Sequence, residues 1–95
     1  MQRQKTMKKK ILIVDDNKEL LAALKDTLSL CSYEVIIVDD AGKALDVAVK
    51  TKPDVILLDL KMPAKSGFQI AQEIKDFKEI NRIPIIAITG FLNED

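Results

Sequence analysis

The 95-residue chain is expected to fold as a doubly wound α/β domain, a parallel sheet with helices on both faces. Three observations predict this. Four short runs dominated by apolar residues, Ile11-Leu-Ile-Val14, Glu34-Val-Ile-Ile-Val38, Val55-Ile-Leu-Leu58 and Ile85-Ile-Ala-Ile88, have the length of strands. Most of them lack polar alternation, as in strands covered on both faces. Between them, apolar residues return every three or four positions, the mark of amphipathic helices. Strand and helix therefore alternate along the whole chain, and right-handed crossovers turn that order into an open parallel sheet.

The first run ends in Asp15-Asp16-Asn17, and the periodicity then predicts a helix over Lys18–Leu30 with Leu20, Leu21, Leu24, Leu28 and Cys31 on its apolar face. Asp16 is read as its cap, with Glu19 three residues on. The second run, flanked by polar residues like a strand near a sheet edge, ends at Asp39-Asp40. Ala41, Ala44, Leu45, Ala48 and Val49 then mark a short helix closed by Thr51-Lys52-Pro53, because proline cannot continue it. The third run delivers a single carboxylate, Asp59, before Met62-Pro63 forces a turn. Ser66 and Gln69 have the spacing of a capping box, Gly67 opens a third helix, and Ile70, Ala71, Ile74 and Phe77 mark its face. Pro84 introduces the fourth run, which ends at Thr89-Gly90.

Composition narrows the chemistry. At 47% hydrophobic and 32% charged, the chain reads as one globular domain, and 15 basic against 15 acidic residues give no global pull toward nucleic acid or membrane. Residues 1–10 form a basic tail with no apolar core of a signal peptide, and no run approaches the roughly 20 residues of a membrane helix, so a cytoplasmic address is expected. Cys31 stands alone and histidine is absent, which leaves any metal to oxygen ligands.

Sites in open α/β sheets lie beyond the carboxyl ends of the strands, where the winding direction reverses. Asp15, Asp16, Asp59 and Thr89 all stand at such ends. If the first and third strands are neighbours, three carboxylates crowd one crevice, and each pair about 5 Å apart repels by roughly 3 kcal/mol at an effective dielectric near 20. A hard divalent cation relieves that repulsion, and Mg2+ suits carboxylates, carbonyls, water and phosphoryl oxygens in an octahedron. A carboxylate fixed beside it is a plausible nucleophile toward phosphorus, with the Thr89 hydroxyl able to donate to a phosphoryl oxygen.

The acidic pair in Ile-Val-Asp15-Asp16-Asn17, Asp59 in Leu-Leu-Asp-Leu-Lys-Met-Pro with Gly67 following, and Ile-Thr89-Gly90 resemble the receiver domain of two-component response regulators. The resemblance runs from about Lys10 to the last residue and implies a flavodoxin-like receiver fold with strand order 2-1-3-4. It implies that Asp59 accepts a phosphoryl group from a histidine kinase or a phosphotransfer protein, and that Asp15, Asp16, Asp59 and the backbone carbonyl of Lys61 hold Mg2+. Thr89 would be the switch hydroxyl, and Lys61 and Phe91 would influence loss of the phosphoryl group, bulky Phe91 by limiting water access. Such a protein catalyses its own phosphorylation and dephosphorylation rather than turning over a substrate. A flavodoxin-type cofactor binder fits less well, because Asp15-Asp16 repels phosphate. So does a haloacid dehalogenase-type phosphatase, because Lys61 stands where its second aspartate is expected.

The family pattern continues beyond the fourth strand into a further helix, a fifth strand with a lysine, and a last helix, none of which has a match here. Residues 11–95 are therefore expected to form an incomplete receiver domain. The Ile85–Ile88 run would then be an uncovered edge, inviting self-association with exchange of elements between copies. The other reading is a non-catalytic receiver fragment that serves as an interaction or self-association module.

Overall fold

Lys10–Val14 (β1), Glu34–Val38 (β2), Val55–Asp59 (β3) and Ile85–Ile88 (β4) pair as one parallel sheet in the order β2-β1-β3-β4 in the structure, a computed structural model that describes residues 8–88. This is the order expected from the sequence. The first strand begins one residue earlier than the apolar run, because Lys10 pairs with Glu34 and its ammonium donates to the Thr51 carbonyl at 2.7 Å. Inner β1 is buried from Ile11 to Val14, whereas edge strand β2 exposes Glu34 and Ile37.

The helices lie on both faces. Lys18–Leu30 (α1) covers one side, where Leu21 packs in a core with Ile11, Ile13 and Val35. Ala44–Thr51 (α2) and Gly67–Lys75 (α3) cover the other, where Ala44, Ala48, Ile70 and Ile74 close over Leu12, Val14, Ile56 and Leu58. Each fully buried aliphatic side chain contributes roughly 1.5–3 kcal/mol, so the second core fixes β1 and β3 against each other. The faces are unequally covered. On β3, Ile56 and Leu58 are buried, but Val55 and Leu57, which face the α1 side, are only partly so. The run 55–58 is thus fully covered on one face only among the described residues.

Four local details differ from the sequence reading. The cap of α1 is Asn17, not Asp16: the Asn17 side chain accepts from the Leu20 amide at 3.0 Å while Asp16 stays exposed. The apolar face of α1 is narrower than the periodicity suggests, with Leu20 and Cys31 turned to solvent. The second helix is preceded by a 3-10 turn, Ala41–Lys43, capped by the Asp40 carboxylate on the Gly42 amide. At α3 the capping box is present as expected, Gln69 and Ser66 exchanging side-chain-to-amide bonds of 3.2 and 3.3 Å. That helix ends at Lys75, so Phe77 lies past it in the following turns.

Candidate functional site

Register creates the site. Val14 is the partner of Val38 on one side and of Leu58 on the other, so the next residue of β1, Asp15, leaves the sheet beside Asp59. β1 and β3 are the strands between which the winding direction reverses: the chain passes from β1 outward to β2, then returns across β1 to β3. Asp16 follows in the bend before α1. One carboxylate oxygen from each of Asp15, Asp16 and Asp59 lies within 4.8 Å of the others.

Their environments differ. Asp15 is 4% exposed and Asp59 7%, while Asp16 faces solvent, so the cluster has two walls and an open side. Backbone amides hold the buried pair: Asn17 donates to Asp15 Oδ1 at 2.9 Å, and Lys61 donates to Asp59 Oδ1 at 3.0 Å. Burial pushes the Asp15 carboxyl above its ordinary value, the Asn17 amide opposes this, and the charges of Asp59 and Asp16 raise it further. Side-chain hydrogen bonding toward Asp59 is the last and smallest of the causes that raise it. The cluster therefore carries more negative charge than its surroundings neutralise, and an oxygen-loving cation fits that donor set.

The strand-end position of Asp59 is rigid because Ile56 and Leu58 anchor β3 in the core. Beyond it the chain bends at Leu60, buries Met62, and returns so that the Gly67 amide donates to the Leu60 carbonyl at 3.3 Å. Lys61 is exposed, next to the acceptor candidate. The structure thus brings together Asp15, Asp16, Asp59 and the Lys61 backbone, all singled out from the sequence. Thr89 and Phe91 lie outside the described residues; Ile88, in register with Asp59, is the last one described. Two contributors were not foreseen in their roles. Asn17 both caps α1 and binds Asp15, and Gly67 packs directly on the Asp59 backbone. An Asx residue just ahead of a helical pattern is a readable signal for the first; the second depends on a tertiary approach that spacing does not encode.

A fold of this order with carboxylates at the switch point defines a class, and comparison with known proteins gives the same one. The model of the response regulator receiver domain matches residues 11–95, and the chain belongs to that family. It is 36% identical over 85 residues to the polar-differentiation response regulator DivK of Brucella anthropi, covering 90% of this chain and 69% of that protein. Chemotaxis protein CheY4 of Vibrio cholerae superposes with a TM-score of 0.81 at 31% identity, covering 85% of this chain and 68% of that one. Response regulator TrrA of Thermotoga maritima, solved in complex with Mg2+-BeF, superposes with a TM-score of 0.77 at 33% identity, covering 85% and 69%. The chain spans 63% of the solved N-terminal domain of a response regulator receiver protein from Methanoculleus marisnigri, and so about two thirds of such relatives.

Proposed function

We propose that this chain is a phosphoacceptor: Asp59 takes a phosphoryl group from the phosphohistidine of a histidine kinase or a phosphotransfer protein, and the altered charge switches a downstream partner. The observation that carries this reading is the β1–β3 register, which sets Asp15 and Asp16 against Asp59 with carboxylate oxygens within 4.8 Å. Family membership and the Mg2+-BeF complex of TrrA support it.

Asp15, Asp16, Asp59 and the Lys61 carbonyl would hold Mg2+, which when bound supplies positive charge against the three carboxylates and the incoming phosphoryl oxygens. The chain's own residues do the rest. The Lys61 amide keeps the Asp59 carboxylate oriented, and β3 keeps it at the end of a packed strand. An Asp59 oxygen forms the new bond to phosphorus as the bond from phosphorus to the histidine nitrogen breaks, the electron pair leaving with the imidazole. Water attack on the same phosphorus later releases inorganic phosphate and restores the carboxylate. Thr89 is read as the switch hydroxyl, and Phe91 as a barrier to that water, so Phe91→Ala is expected to shorten the lifetime of the phosphoryl group. The reading makes this a self-modifying signalling module of the cytoplasm, with no direct contact to nucleic acid or membrane. Among the described residues, no helix is long and apolar enough to cross one. Residues 11–95 serve as the receiver portion, and the strand that opens it already includes Lys10.

One observation favours a second activity. Strand β4 pairs only with β3 among the described residues, carries no charged side chain, and leaves Ile86 53% exposed. Edges are usually blunted by charge, proline or a bulge, so self-association through β4 is the added reading. Light scattering across concentration checks it, with mass growing in the wild type and less so in Ile86→Lys.

The acceptor reading is tested by mass spectrometry after incubation with acetyl phosphate, with and without Mg2+. A Mg2+-dependent phosphate adduct that disappears in Asp59→Asn supports it. An adduct that persists in Asp59→Asn, or none in a well-folded wild type, removes it and leaves the interaction module.

A further inference from the structure

We infer that Gly67 is a positioning residue for the acceptor site: its bare α carbon is the seat against which the Asp59-Leu60 backbone rests, and so fixes where the Asp59 carboxylate and the Lys61 carbonyl stand. The inference rests on the phosphoacceptor reading and adds a residue outside the acidic cluster. A methyl group on Gly67 would lie 2.3 Å from the Asp59 carbonyl oxygen, 2.8 Å from the Leu60 α carbon and 2.9 Å from the Asp59 carbonyl carbon. All three are backbone atoms, so none can swing aside like a side-chain tip. The first contact falls about an ångström short of an ordinary non-bonded separation. The demand is for space and not for unusual dihedral angles, since Gly67 does not have positive φ.

The surroundings decide which side yields. Behind Gly67, α3 is pinned by fully buried Ile70 and Ile74 and by the Ser66–Gln69 capping box. Behind Asp59, β3 is pinned by Ile56 and Leu58. The junction from Asp59 to Lys61 is held less firmly: between buried Leu58 and Met62 it is a bend tied by the Gly67 amide on the Leu60 carbonyl and by the Lys61 amide on Asp59 Oδ1. A side chain at position 67 therefore moves the junction, and with it two of the oxygens read as metal ligands. Displacements of about 1 Å at a reacting group cost up to roughly 100-fold in rate, and loss of outer support for metal ligands costs about 10–100-fold in affinity.

The experiment compares wild type, Gly67→Ala and Ile74→Val, the last perturbing the buried face of the same helix away from the junction. Thermal unfolding, the Mg2+ dissociation constant by calorimetry, and the rate of phosphorylation by acetyl phosphate are measured for each. Gly67→Ala is expected to weaken Mg2+ binding about tenfold or more and to slow phosphorylation roughly 10–100-fold, while Ile74→Val lowers only the melting temperature. A Gly67→Ala protein that melts lower yet binds Mg2+ within about twofold of wild type has lost structural support only, and overturns the inference. If wild type binds Mg2+ but takes no phosphoryl group, the acceptor reading fails, and the Mg2+ comparison still decides the role of Gly67. A wild type that neither binds Mg2+ nor is phosphorylated overturns both. Should Gly67→Ala not fold, amide exchange in the wild type decides. Mg2+ is expected to slow exchange at Lys61 and Gly67 together while leaving Asp76, at the far end of α3, unchanged. Slowing at Lys61 with Gly67 unaffected contradicts the inference.

Discussion

Asp15 shows what the site demands of a single residue. It is 4% exposed beside two other carboxylates, and burial followed by their charges holds its carboxyl above the ordinary value. The folded state therefore keeps this proton to higher pH than the unfolded chain does. Between the ordinary value and the raised one the native state binds more protons, so the contribution of Asp15 to stability falls as pH rises and is lowest above the raised value. Held as proposed, Mg2+ would compete with the same proton, and its affinity is expected to weaken as pH drops through the raised value, which titrations at several pH values would check. Asp15→Asn keeps an acceptor oxygen for the Asn17 amide and removes one charge. It should stabilise the metal-free protein by about 1–2 kcal/mol in denaturant unfolding, given repulsion of roughly 3 kcal/mol per close pair before screening. The carboxylates were legible in the sequence because two apolar runs end in them. The capping half of the task of Asn17 was readable too, but its amide bond to Asp15 was not, because that depends on Asp15 turning inward, a matter of strand register.

Elements carry these residues into place, and their ends matter most. Asn17→Ala removes the accepted Leu20 amide bond and is expected to cost about 1 kcal/mol, whereas Asp16→Ala, exposed and repelled by its neighbours, should cost less or add stability. The opposite ranking by chemical denaturation would restore Asp16 as the cap. On the face of α1, Leu21→Ala is expected to cost about 2–5 kcal/mol, because Leu21 is 2% exposed, while Leu20→Ala should stay within about 0.5 kcal/mol at 38% exposure. Both leucines fit a three- and four-residue period, which locates the helix but not the width of its contact. The α1 side of the sheet closes tightest over Ile11, Ile13 and Val35 with Leu21, and Leu20 lies outside that cluster. The capping box of α3 was readable from Ser66 and Gln69 alone, since its bonds are local. The close approach of Gly67 to β3 was not, since it joins two elements whose spacing is set by packing.

At the scale of the molecule, alternation of apolar runs and amphipathic stretches was enough to give a parallel sheet, and the order β2-β1-β3-β4 turns strand ends far apart in sequence into one acidic crevice. What the pattern could not supply is the uneven cover of the sheet, with Val55 and Leu57 partly buried on the α1 side and Ile86 exposed on β4. The same arrangement predicts how the whole fold answers to a cation. Mg2+ at ten times its dissociation constant adds about 1.4 kcal/mol to the native state, on the order of 5–10 °C for a domain of this size. The most direct test of the account is thermal unfolding of wild type and Asp15→Asn, each with and without Mg2+. The account predicts a crossing: Asp15→Asn melts higher than wild type in the absence of the ion, while Mg2+ raises the wild type by several degrees and leaves the variant nearly unchanged. A wild type indifferent to Mg2+, together with an Asp15→Asn variant no more stable than it, would mean that the three aspartates do not form a strained, cation-seeking cluster, and would contradict the account.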